Sequence, residues 1–186
     1  IHKASITYQR KKNILKIRKI ITLSSAAIII LMLSFYTYLT PSKTLPNLYS
    51  YHVKNTELPS VKNRGNDDQY NNLLRAQNLF ENKAYKKSII IFSKVKIQNK
   101  KNASIYLYIA ISQMELNELI DAESTLNNLI NSNLIDAEKG YWFKSLLYLK
   151  SNDLDKAKST LKIIIDNSYY NFDKSKQLLR EILDLE

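Results

Sequence analysis

The sequence predicts an all-α protein, a short α-solenoid of three helical hairpins plus a closing helix, set behind a single transmembrane helix. Three observations carry this. A ten-residue pattern recurs at a shift of 34 to 35 residues. The chain of 186 residues holds only two Gly and three Pro, which favours helix over a turn-rich β fold. One uncharged apolar run of 20 residues precedes the repeats. A chain of this size suits one ordinary domain with an appendage.

Residues 1–19 form a basic tail, with seven Lys or Arg and no acid. The uncharged run starts at Ile20 and stops at Leu39. As a helix it spans ~30 Å, the thickness of a bilayer's hydrocarbon core. Its ten Ile, Leu and Phe residues favour insertion by roughly 3–6 kcal/mol. Phe35, Tyr36 and Tyr38 fall at its far end, where rings suit the headgroup layer. A buried core helix is the bland alternative, but soluble helices of this length seldom lack charge. A cleaved signal peptide is another, yet its apolar core is normally shorter and no small-x-small site follows Leu39. Arg10, Lys11, Lys12, Lys16, Arg18 and Lys19 crowd the near side, against Lys43 on the other. The positive-inside rule then keeps the N-terminus in the cytoplasm and sends residues 40–186 across.

Residues 40–68 hold all three prolines, Pro41, Pro46 and Pro59, together with Gly65, and read as a mostly extended linker. Leu45, Leu48, Tyr49, Tyr51, Val53 and Leu58 are more apolar than a spacer needs. Part of the linker is therefore expected to lie on the membrane surface or in the groove of the repeats. His52, alone in a loop, receives no role.

The repeats fill residues 69–186, with units at about 69–101, 102–135 and 136–168. Asn117-Glu118-Leu119-Ile120-Asp121-Ala122 matches Asn152-Asp153-Leu154-Asp155-Lys156-Ala157 in register. Five columns keep that register: Ala76, Ala110 and Ser145; Tyr85, Leu119 and Leu154; Ser88, Ala122 and Ala157; Phe92, Leu126 and Leu161; Val95, Leu129 and Ile164. A period of this length, built of two helical patterns, marks a helical repeat array. The small residues let paired helices approach, and the last two columns lie three apart on one helix face. Asn117 and Asn152 suit the left-handed position that ends a helix. Asp153 and Asp136 are placed to cap the helices that follow. Helices are expected at 69–82, 85–98, 102–116, 119–131, 136–151, 154–166 and 172–184, the last closing the stack.

This pattern resembles the tetratricopeptide repeat (TPR) family over residues 69–166, with the final helix where that family has a solvating helix. Tyr106 and Tyr141 stand at its large aromatic position, Ala76 and Ala110 at its small one, and Ala122 and Ala157 at its second-helix alanine. The sequence departs from the family in lacking Gly at the small position and Pro at the unit ends, and in carrying Ser88 and Ser145. The whole layout is similar to bacterial single-pass TPR proteins of the Bacteroidetes, some with an anti-sigma-like region before the membrane. That resemblance implies an inner-membrane protein with its repeats in the periplasm. It also implies that the first helices of the units line a concave face holding a protein or peptide partner. By register that face carries Leu73, Gln77, Phe80, Leu107, Ile111, Met114, Trp142, Leu146 and Leu149. Such an apolar strip either receives a partner helix or extended segment or is filled by the chain itself.

The net charge of +11 does not imply nucleic acid. Residues 67–186 carry 17 basic and 16 acidic side chains, so the repeats lack the basic stripe that phosphate binding needs. No cysteine is present, which removes thiol nucleophiles, disulfides and thiolate metal sites. Both histidines precede the repeats, and no phosphate loop or metal-ligand spacing occurs. The expectation is a non-enzymatic scaffold without catalytic residues, cofactor, metal or small-molecule substrate. The alternative is transmembrane signalling, with the repeats as sensor and a cytoplasmic region acting on a regulator such as a sigma factor.

Overall fold

The computed structural model describes residues 31, 32, 34, 35, 44–59, 67–98 and 102–185. The chain divides into two compact units, Ile1–Ser42 and Lys43–Glu186. In the first, Leu31, Met32, Ser34 and Phe35 are helical and exposed. The rest of the expected spanning segment, 20–39, lies outside the described residues, as does the basic tail. No helix among the described residues is long and apolar enough to cross a membrane.

The second unit is all helix, with no strand among the described residues. Its elements are α1 (Leu45–Lys54), α2 (Asp67–Glu81), α3 (Tyr85–Gln98), α4 (Ala103–Glu115), α5 (Leu119–Ile130), α6 (Lys139–Lys150), α7 (Leu154–Asp166) and α8 (Phe172–Leu183). From α2 onward each helix packs on the next, giving the hairpins α2–α3, α4–α5 and α6–α7 in chain order, followed by α8. The first helices also touch across hairpins, α2 on α4 and α4 on α6.

One local device sets the turn inside each hairpin. Lys83, Asn117 and Asn152 all have positive φ, at 58°, 62° and 61°. Around them Ala84 N–H reaches Leu79 O, Glu118 N–H reaches Gln113 O, and Asp153 N–H reaches Tyr148 O, each at 2.8–2.9 Å. The N–H of each left-handed residue reaches the carbonyl three positions back. This is the Schellman closure, which satisfies carbonyls that a helix end leaves bare. Ser168, with φ 54°, ends α7 the same way. Asp153 then caps α7, its carboxylate accepting from Lys156 N–H at 3.2 Å.

Four of the five repeat columns are core, whereas Tyr85, Leu119 and Leu154 are half-buried. Ala76, Ala110, Ser145, Ser88, Ala122, Ala157, Phe92, Leu126 and Leu161 have no exposed surface, and neither do Leu129 and Ile164. The two serines in alanine positions are satisfied on the backbone: Ser88 Oγ donates to Ala76 O at 2.9 Å and Ser145 Oγ to Trp142 O at 2.7 Å. Central α4 is buried all round, as its apolar sequence requires, and its side chains join two clusters. Leu178 and Ile182 of α8 are fully buried at the end of the larger cluster.

Two expectations need correction. Asp136 does not cap a helix at 136: it sits in a turn at φ 71°, pairs with Lys139 Nζ at 3.1 Å, and α6 begins three residues later. The linker is not simply extended, because ten of its residues form α1. Pro46 falls in the first turn of that helix, where its missing N–H is no loss.

Candidate functional site

α1 packs on α6 through Leu48, Tyr49 and His52, spaced i, i+1 and i+4, with Thr56 one turn further on. An isolated ten-residue helix is marginal in water, so its order comes from docking. Polar contacts tie it to three elements. Tyr49 OH donates to Glu115 Oε1 of α4 at 2.6 Å. The Nε1–H of Trp142 in α6 donates to Thr56 Oγ1 at 3.0 Å, and Thr56 Oγ1 donates to His52 O at 2.6 Å. His52 Nε2 lies 2.8 Å from Glu181 Oε2 of α8, with its ring edge-on to the indole. Beyond α1, Lys174 Nζ donates to Asn55 O and Tyr170 OH to Glu57 O.

Beside α1 runs an open groove of about 1090 Å³. Its floor and walls are apolar: Leu45, Val53 and Leu58 on one side, Phe80, Ile111 and Leu149 on the other. Lys83, Asn117 and Asn152, the three left-handed turn residues, line it together. Repetition of one turn thus places equivalent positions of three units along a single groove.

One polar cluster sits in this wall. Glu115 Oε1 accepts from Tyr49 and lies 3.7 Å from Lys150 Nζ, which also stands 4.5 Å from the centre of the Tyr49 ring. Burial, reinforced by the Glu115 carboxylate, pushes the Tyr49 phenol far above the ordinary tyrosine range. Tyr85 is raised for the same two reasons, burial first. Tyr49 therefore stays a neutral donor, and the cluster fixes α1 against α4 without leaving a free base.

No family model, curated protein or solved structure matches the chain. What the groove can do follows from its own residues. Of the nine positions expected on a concave face, Phe80, Ile111 and Leu149 line it. Leu107, Met114 and Leu146 have no exposed surface and belong to the main core, while Leu73 is equally buried in the cluster between the first two hairpins. Trp142 is fully buried beneath Thr56 and His52. Gln77 is half-buried and donates to Glu81 Oε1 at 2.8 Å. The nine are thus not one open strip: Leu73, Leu107, Met114 and Leu146 lie in the core between helices, and the segment of α1 covers Trp142.

The apolar linker residues, Tyr49 among them, point to the groove of the repeats, but no apolar pattern marks His52 and Thr56 as structural residues or Glu115 and Lys150 as their rim. The helical spacing of Leu48, Tyr49, His52 and Thr56 was the available signal. His and Thr in that series hid it, because a stripe is sought among apolar residues. Among the described residues no group of three His, Cys, Asp or Glu side chains is placed to hold a metal ion.

Proposed function

We propose that this protein is a non-catalytic TPR-like scaffold, tethered by residues 20–39, that holds a protein or peptide segment in the groove on the extracytoplasmic side of a bacterial inner membrane. The observation that carries the reading is the groove itself: an apolar trough of about 1090 Å³, bounded by polar side chains, along stacked hairpins. A trough with apolar anchors and a few polar positions suits an amphipathic helix or an extended segment. The anchor rests on the uncharged run and its cationic flank.

A photo-crosslinking residue at Phe80 tests it, with Ile163 on the exposed side of α7 as control. In membranes of the native organism, a discrete adduct at Phe80 and none at Ile163 is expected. Equal labelling at both would overturn the groove as the site. Protease shielding in sealed cells tests the sidedness, since cleavage of the repeats from the cytoplasmic face would remove the proposed topology.

Signalling is a second reading, and one observation favours it. The segment joining the repeats to residues 1–42 is itself a wall of the groove, so binding is placed to act on the chain that leads to the anchor.

A further inference from the structure

We infer that α1 is a conditional wall: a ligand in the groove holds α1 down, and release of α1 dismantles the groove. The inference rests on the reading of the groove as the binding surface. Eight of its 17 lining residues belong to 45–58, so the groove in this form requires α1 to be docked. The helix divides its surface between two tasks. Leu48, Tyr49 and His52 are buried against the repeats, whereas Leu45 and Val53 remain partly exposed along the opening. A ligand seated there covers what α1 still exposes.

α1 has little support of its own. Thr44 gives no side-chain cap, the first turn carries no acid, and ten residues do not sustain a helix in water. Tyr49 and His52 tie it to α4 and α8, and Thr56 just after its end ties the segment to α6, so undocking breaks the three together. Linkage is reciprocal: a ligand selective for the walled groove stabilises docked α1 by the factor by which docking strengthens its binding. In the sequence α1 stands between residues 1–42 and the repeats, so a change in its docking falls on the segment that follows the first unit.

The absence of cysteine makes a single introduced thiol a unique handle. Phe80→Cys, with Tyr85→Cys as a second site, places it in the groove outside α1. In the full chain in lipid nanodiscs, each variant is treated with benzyl methanethiosulfonate. The thiolate displaces methanesulfinate, and the benzyl group remains as a mixed disulfide filling the groove. Amide exchange is then followed by mass spectrometry. Residues 48–54 are expected to exchange at least tenfold more slowly after labelling, with α7 unchanged. The inference is overturned if labelling leaves 48–54 unaffected, or if those amides are already as protected as α4 before it. If neither thiol reacts in the folded chain, the groove is closed; the binding reading then falls, and the coupling with it.

Discussion

The indole of Trp142 has no exposed surface, and its Nε1–H donates to Thr56, 86 residues earlier. Its register position suggested an open concave face, where truncation would leave stability nearly unchanged. Its burial gives the opposite expectation. Trp142→Ala should cost ~3–5 kcal/mol, and Thr56→Val, which keeps the shape but orphans the indole, about 1–3 kcal/mol. Urea unfolding followed by far-UV circular dichroism measures both, and a midpoint unchanged in Trp142→Ala would show that the ring is not core. Asn117 and Asn152 were legible at this scale because the left-handed turn is a local property, and Asn tolerates it. Lys83 occupies the same turn with no such signal; there the hairpin imposes the conformation on the residue.

Among the elements, the seven repeat helices lie close to their expected bounds, with α3 and α7 matching at both ends. The reason is physical. Most repeat helices carry their own apolar pattern, and α4 and α6 carry their own Asn stop, so both signals are written within about 15 residues. The helix pairs also need the small columns. Ala122→Leu or Ala157→Leu forces a larger side chain into a position with no exposed surface and should destabilise by roughly 1–3 kcal/mol. The same change at exposed Ser124 serves as control, and equal loss in thermal melts at both would show that the columns do not set helix spacing. α1 was not legible as a helix. Three prolines argued for coil, its own propensity is weak, and the face that orders it belongs to α4, α6 and α8.

For the whole molecule, the repeat unit is expected to begin at residue 43, not at the start of α2. A fragment of residues 43–186 should be soluble, helical and cooperative. A fragment of 67–186 lacks the cover over Trp142 and should melt lower or aggregate. Equal melting of the two by circular dichroism would show α1 to be an accessory. The tyrosines give a second molecular property. Burial is the first cause raising Tyr49, Tyr85, Tyr108, Tyr148 and Tyr170 above the ordinary value. A group raised by folding contributes stability that is fully present below its unfolded pKa and is lost as pH climbs past it. The 43–186 unit should therefore keep its stability up to about pH 10, the unfolded tyrosine value, and weaken above it. Tyr49→Phe should lessen that alkaline loss, and a slope equal to that of the parent would count against a buried neutral phenol.

The sequence by itself determined the class, the period, the turns at Asn117 and Asn152 and four buried columns, because each depends on contacts within a helix or between neighbours in the chain. The groove floor at Ile111 and Leu149, the cover over Trp142 and the ties of Tyr49, His52 and Thr56 were decided only by tertiary structure. Those contacts join residues 66 to 129 positions apart, and no local spacing encodes a partner at that distance.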